Sequence, residues 1–472
     1  MSRAIVWFRR DLRLHDHPAL SAAIAEADEV IPLFVIDDAL VSGRWPAPNR
    51  IWFMWQSLVA LADSVRERGG GLRIARGRPA DVLPRLAREL KADAVYLTRD
   101  ASPYGRRRDQ RIAQLLGEAN VPIHAKRGLY VHEPDEVCTR DGGSFTVYSP
   151  FRRARQAVRG RHSGGRGEDG ATRTRLPAGH STTDLPTLED LGIGGPTADR
   201  RHLLEPGEPA ARRRLERWLD DGVADYATTR DRLIDGSTSR VSQDLRWGLL
   251  SPLEVVERAA GPGEGRRVFV QELIWRDFYA HVLWHHPDVL KHPFRSDFER
   301  LPWRADDEAV DAWKAGRTGY PIVDAAMRQL RATGFMPNRA RMVGASFLTK
   351  DLLVDWRIGE RHFMEHLVDG DVASNDGGWQ WTASTGTDAQ PYFRIFNPVL
   401  QGRRADPDGT WIRTWLPELR NVPTSHIHEP WTMPRQMQAE AECRIGADYP
   451  APIVDHAMAR ERSLAAFASV RD

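Results

Sequence analysis

The 472-residue chain has only two cysteines, Cys138 and Cys443, and only five lysines. Two thiols so far apart make neither a metal box nor a disulfide framework, which fits a reducing, cytoplasmic setting. No run of about 18 uncharged apolar residues is present, so no membrane span is expected. The opening MSRAIVWFRRDLRLHDHP meets charge within ten residues, which argues against a secretory leader. Nucleotide-site fingerprints are missing as well. No G-x-G-x-x-G follows the first strand, and neither a P-loop nor a G-x-S-x-G elbow occurs. His281/His285 and His362/His366 stand at i, i+4, but neither pair has the H-E-x-x-H glutamate. Both read as ordinary core or surface histidines, and no metal is expected.

With lysine scarce, nearly all 67 basic residues are arginine, set against 65 acidic ones for a net charge of +2. Arginine suits phosphate recognition, although a GC-rich coding sequence explains the bias as readily. Apolar residues make up 41% and charged residues 28%, so a chain of this length can bury two cores.

Over the first 126 residues two hydrophobic periods alternate. Strand-like runs fall at 4–8, 30–36, 72–75, 94–97 and 122–124, and helical periodicity at 18–27, 49–68, 79–90 and 104–119. This predicts a five-stranded parallel α/β (Rossmann-like) domain over 1–130. Residues 131–205 read as an interdomain connector, with a mobile Gly- and Arg-rich linker at 160–195. From 206 to 472 the pattern is helical, so the expected class is α/β followed by an all-α domain. Helices are predicted over 268–285 and 320–333, and twelve of the sixteen tryptophans lie at or after Trp218.

Three segments mix chemistry-bearing side chains. TSRVSQDLRWGLLSP (238–252) sets hydroxyls and arginine where a helix should start, where free backbone N–H groups can meet phosphate. MPNRARM (336–342) and LVDGDVASNDGGWQW (367–381) put amide, guanidinium and carboxylate groups beside aromatics, a mixture able to hold a flat heteroaromatic ligand. Ordinary capping accounts for the first segment equally well, and turn residues beside a packed Trp account for the other two better.

These segments, with AIVWFRRDLRLHDHPAL, QELIWRDFYAH, GRTGYPIVDAAMRQLRATG, ASFLTKDLLVDWR, STGTDAQPYFRIFNP and WLPELR, resemble the photolyase/cryptochrome family. Within it they resemble class I cyclobutane pyrimidine dimer photolyases, from about residue 3 to 465 apart from the linker. The resemblance implies light-driven lyase activity on UV-damaged DNA, a monomer, and FAD bound in a U shape by the helical domain. By position, Tyr226, Thr238, Ser239, Arg240, Val241 and Ser242 would hold the phosphates and adenosine side. Gln271, Arg276, Arg341, Asp369, Asp371 and Asn375 would line the isoalloxazine and ribityl side, with Asn375 facing flavin N5. Glu272, Trp275, Asn338, Met342 and Trp381 match dimer-contacting positions. Asn338 and Met342 stand where (6-4) photolyases place two histidines. Trp379, Trp356 and Trp303 match the family's electron-relay tryptophans, and Arg339, Arg394, Arg403 and Arg404 its DNA-phosphate contacts. A blue-light signalling receptor without repair is the alternative on the same scaffold.

Two departures accompany the resemblance. Pro337 replaces the usual His before Asn338, and Asp376 replaces an Asn after Asn375. DASPYGRRRD (100–109) is similar to the deazaflavin-binding branch, which implies an 8-hydroxy-5-deazaflavin (8-HDF) antenna contacted by Asp37, Arg50 and Asp100. Ser102 and Arg246 differ from the Glu and Lys of that branch, so methenyltetrahydrofolate, FMN or no antenna stay open.

Overall fold

The computed structural model describes residues 2–42, 47–158, 185–234 and 236–470. Most of the Gly- and Arg-rich linker, 159–184, lies outside the described residues.

The N-terminal third forms strands β1 (Arg3–Phe8), β2 (Glu29–Ile36), β3 (Arg73–Arg76), β4 (Ala94–Thr98) and β5 (Ile123–Lys126). All pairings are parallel and the order is β3-β2-β1-β4-β5. Helices α1 (Pro18–Glu26), α3 (Pro48–Glu67), α4 (Pro79–Glu89) and α5 (Pro103–Glu118) lie between the strands, and a one-turn α2 (Asp38–Val41) follows β2. Each of the four long helices starts on proline, which spends no donor in a first turn whose N–H groups are unpaired anyway. The strand and helix expectations are met to within about two residues, the usual scatter at element ends. The turn α2 was not anticipated because four residues are too few to show a period.

β1 is buried on both faces, as a central parallel strand must be. Ile5, Trp7, Ile31, Leu33 and Val95 face α4 and α5. Val6, Phe8, Phe34 and Ile36 face α1, α3 and, in the same apolar cluster, Trp218, Leu245, Trp247, Phe269 and Leu273 of the helical part. One core therefore runs from the sheet into the helices.

Arg13 fastens the junction. Fully buried, it donates to the carbonyls of His15 (3.0 Å), Asp16 (2.9 Å), Gly128 (3.1 Å) and Gly248 (3.0 Å). Gly248, with φ of +62°, ends the Ser242–Trp247 helix against the loop after β1. A Cβ there would sit 2.1 Å from the Arg10 carbonyl oxygen, so only glycine permits this approach.

The linker is shorter than its composition implied. Leu185, Leu188, Leu191 and Ile193 pack against the apolar core, and Arg76 Nη1 donates to the Leu191 carbonyl at 2.6 Å. Four aliphatic side chains at short spacing outweigh the polar residues between them. Upstream, Val137, Tyr148 and Phe151 pack on Ile274, Phe278 and Val282 of the Glu264–His285 helix. Beyond Glu205 the described residues are helices and loops, with one isolated bridge, Ile445–Tyr449. No helix among the described residues is long and apolar enough to cross a membrane.

Candidate active site

All five of the expected dimer-contacting residues, Glu272, Trp275, Asn338, Met342 and Trp381, lie on the Glu264–His285, Asn338–Ser346 and Val372–Ala383 helices. Asp369, in the loop before the last of these, is the first point of convergence. It accepts from Arg341 Nη2 at 2.8 Å and from Ser242 Oγ at 2.7 Å. The Arg341 and Arg240 guanidinium carbons lie 5.5 and 4.5 Å from the Phe335 ring centre, so two cations meet one aromatic ring. Arg240 has φ of +54°, and Ser239 Oγ accepts from Val241 N at 3.4 Å. The Val241 side chain is core, inside the interdomain cluster. Arg240, Ser242, Arg341 and Asp369 thus combine phosphate-seeking donors with a carboxylate acceptor for hydroxyls, and this donor set fits a dinucleotide.

Asn375 is fixed by a residue the sequence did not flag. Its Nδ2 donates to the Glu360 carbonyl at 3.0 Å and to Glu360 Oε1 at 2.8 Å. Both amide hydrogens are spent, leaving Oδ1 as the group Asn375 can offer a ligand. Burial raises the Glu360 carboxyl above the ordinary range, against the Asn375 hydrogen bond. Asp376 faces the protein interior instead: buried, pushed well up by burial and by Glu360, it meets Gln380 Nε2 at 3.4 Å.

Asp371 turns toward the α/β domain. It caps the Val372–Ala383 helix through Ser374 N (3.2 Å) and accepts from Arg10 Nη2 at 2.6 Å. Burial alone would raise its carboxyl; Arg10, Arg246 and Arg276 outweigh that and hold it well below the usual range. Arg276 donates to the Leu129 carbonyl at 2.6 Å and covers Tyr130 at 4.8 Å, again at the domain junction.

A second group lines the outer face. Glu272 is ion-paired with Arg230, and its carboxyl is raised chiefly by burial. Next in the chain, Asp231 pairs with Arg339 Nη2 at 2.7 Å. One turn along from Glu272, Trp275 stacks on Tyr148 with centroids 3.7 Å apart and planes within 6°. Gln271 accepts from Arg267 and Arg152 once its amide is oriented to satisfy them, and its carbonyl takes the Tyr148 hydroxyl at 3.0 Å. Asn338 and Met342 meet at 3.5 Å on their shared helix, whose cap is Pro337. Pro337 still accepts from Arg341 N at 3.0 Å, so the lost N–H leaves the helix start intact. Thr238, Tyr226 and Trp381 are half-buried. Arg394, Arg403 and Arg404 are exposed near Phe393 and Leu400, which are 59% and 58% exposed; Arg403 is ion-paired with Glu429.

Trp379 and Trp356 are buried in one apolar cluster, and half-buried Trp303 packs on its edge and against Phe467 at 6.3 Å. Gly359 makes room for Trp379: a Cβ would lie 2.0 Å from its ring. Gly359→Ala should therefore cost about 1–3 kcal/mol of stability by overpacking, read by urea denaturation.

Across the domain junction, Asp37 and Asp100 follow β2 and β4, at the carboxyl ends of the strands beside the point where strand order reverses. Asp37 accepts from the Tyr104 hydroxyl at 2.5 Å, and Asp100 lies 3.8 Å from Arg10 and 3.6 Å from Arg108. Ser102 caps α5 through Gly105 N at 3.0 Å. Arg50 points away from that pair. It donates to the carbonyls of Met364 (2.7 Å) and Leu367 (3.0 Å), which at the end of the Trp356–His366 helix have no partner within the helix. Arg246 donates to the Gly370 carbonyl at 2.7 Å, its guanidinium pushed well down by burial and by Arg10.

Two family models match in sequence. The "DNA photolyase" model covers residues 4–166, and the "FAD binding domain of DNA photolyase" model covers 269–469. A deoxyribodipyrimidine photo-lyase of Streptomyces griseus is 44% identical, with 98% of each chain covered. The chain belongs to the DNA photolyase family. Among solved structures, a class III photolyase from Agrobacterium tumefaciens matches with a TM-score of 0.90 and 36% identity, over 100% of this chain and 98% of that one. A Synechocystis cryptochrome matches with a TM-score of 0.88 and 30% identity, over 98% and 99%. The FAD-binding photolyase domain spans the Glu272, Arg341, Asp369 and Asn375 positions, so Asp369 and Arg341 lie inside the family's flavin-binding unit, while Arg240 and Ser242 precede the matched range. The residue that reasoning from sequence missed there, Glu360, had no motif to mark it, since a lone acid on a charged helix looks solvated.

Proposed function

We propose that this photolyase repairs cyclobutane pyrimidine dimers in UV-damaged DNA under blue light, as a class I enzyme acting as a monomer. The observation that supports it best is that one helical domain carries both the Glu272–Trp275 face and the Arg240–Ser242–Arg341–Asp369 cradle. Bound FAD, in its reduced form, supplies the photoexcited electron that opens the cyclobutane ring and takes it back afterwards.

The chain's own residues do the rest. Tyr226 and Arg240 would hold the phosphate and adenosine side, where Thr238, Ser239 and Ser242 add hydroxyls; Gln271, Arg276 and Arg341 would close the isoalloxazine and ribityl side. Asp369 takes ribityl or ribose hydroxyls, and Asp371 holds the two domains around them. Asn375 presents Oδ1 at flavin N5, because Glu360 occupies its amide hydrogens. A flipped dimer meets Trp275, Trp381 and Met342 as apolar walls, with Glu272 and Asn338 bonding the base edges, and an already damaged pair costs less to extrude. Arg339, Arg394, Arg403 and Arg404 grip phosphates on either side.

Trp379, Trp356 and Trp303 relay an electron inward when the flavin needs reduction. Trp356→Phe should slow blue-light reduction of the oxidised flavin at least tenfold, an added barrier of about 1.4 kcal/mol, followed as 450 nm bleaching. Arg404→Ala should weaken binding to every DNA sequence alike and flatten the slope of log K against log salt by about 0.9.

For the antenna, we propose 8-HDF at the carboxyl ends of β1, β2 and β4 beside Asp37 and Asp100, with Arg50 on the helical side. The PYGR segment supports this choice, and extraction of the chromophore followed by absorbance tests it.

Repair of an oligonucleotide carrying one thymine dimer tests the main reading. Light-dependent recovery of thymine by the reduced protein, with none in the dark, is expected. No recovery by flavin-loaded, fully reduced protein would overturn it in favour of a signalling receptor.

A further inference from the structure

The two i, i+4 histidine pairs look alike in sequence and differ in the fold. In the first pair, His281 is spent at both nitrogens: Nδ1 contacts the Pro134 carbonyl at 2.7 Å and Nε2 accepts from Phe145 N at 2.9 Å. That imidazole is a structural strut.

The second pair is not spent in this way, although His362 is buried and Glu365 and His366 are half-buried. His362, Glu365 and His366 stand on the last turn of the Trp356–His366 helix, one ligand atom from each lying within 4.8 Å of the others. Ligands around a tetrahedral ion sit roughly 3.4 Å apart for bonds of about 2.1 Å, so small side-chain rotations close the set. His366 Nδ1 donates to the His362 carbonyl at 2.9 Å, which leaves the Nε2 lone pair for a ligand. A backbone carbonyl on the far nitrogen is the arrangement that fixes the tautomer of metal-bound histidines. The rings of His362 and His366 are 4.3 Å apart, and His362 rests edge-on against Trp313 at 5.5 Å.

The turn is also held rigid from outside. Asn49 Nδ2 donates to the His366 carbonyl at 3.1 Å, and Arg50 donates to those of Met364 and Leu367. Ordering costs on binding are therefore small. The spacing is H-x-x-E-H, the reverse of the motif sought in the sequence, with both histidines and the glutamate on one face.

We propose that His362, Glu365 and His366 form a three-ligand site for a divalent transition metal of the zinc or copper class. Two imidazoles and a carboxylate suit zinc, and imidazole equally suits copper(II); the fourth position stays with water. The site lies on the helix that also carries Trp356 and Glu360, and it is independent of the repair reading.

Untagged, FAD-loaded protein titrated with Cu²⁺ tests it, with Zn²⁺ as competitor. One equivalent should quench part of the tryptophan emission saturably, through Trp313, and the copper EPR spectrum should show coupling to two imidazole nitrogens. His366→Gln should weaken binding by more than about 100-fold, since losing even an outer partner of a ligand costs 10- to 100-fold. Glu365→Gln, on the half-buried face, should weaken it less. Flavin absorbance and the metal-free melting temperature establish that each variant is folded. Non-saturable quenching, no nitrogen coupling, or unchanged affinity in both variants would overturn the site.

Discussion

Glu272→Ala should weaken binding of dimer-containing DNA about 10- to 100-fold, the value of a hydrogen bond to a charged group at 1.5–3 kcal/mol. Fluorescence anisotropy with lesion and undamaged duplexes reads the difference. Glu272 sits one turn before Trp275 on the Glu264–His285 helix, so its carboxylate and that indole address the same ligand. Its partner Arg230 is held by the pair and would be left without it, which adds a cost that is not lesion contact. Glu272→Gln separates the two effects: it keeps a hydrogen-bonding group on the base edge but drops the ion pair. Recovery of most of the lost affinity in Glu272→Gln assigns the role to base-edge bonding. Equal affinity of wild type and Glu272→Ala for lesion DNA would reduce Glu272 to a structural partner of Arg230.

Asp371→Ala should cost about 3 kcal/mol in urea denaturation at pH 7, because it leaves the half-buried Arg10 guanidinium with only the more distant Asp100, at 3.8 Å. Losing the cap on Ser374 adds about 1 kcal/mol. Asp371→Asn keeps the cap and should lose less. The pH dependence is a second check. Arg10, Arg246 and Arg276 hold the Asp371 carboxyl below its unfolded value, so its stabilisation is complete above about pH 4 and is lost as pH falls through the folded value. Wild type and Asp371→Ala should therefore converge in stability in strong acid. A constant gap from pH 7 downward would show that the ion pair is not the source.

Much of the fold was legible because local chemistry and global packing agree. Prolines start the four long helices between strands, and apolar runs such as AIVWF are too uniformly buried to be anything but central parallel strands. The linker was misjudged at its end, since Leu185, Leu188, Leu191 and Ile193 were averaged into polar surroundings. Arg50 is expected among the antenna contacts; in the fold it donates to the Met364 and Leu367 carbonyls at the end of the Trp356–His366 helix, partners that no local pattern encodes.

By itself the sequence determined the family, the order of strands and helices along the chain and the residue types available for flavin and lesion, because motif and hydrophobic period are local properties of a chain. Only the tertiary structure decided which of those side chains still have a free valence. Asp371 is consumed by Arg10 from 361 positions away, Glu360 takes the Asn375 amide, and His281 is bound at both nitrogens while His362 and His366 are not. Each outcome depends on partners brought together by burial across the domain junction or between helices, where desolvation makes every donor and acceptor find a mate.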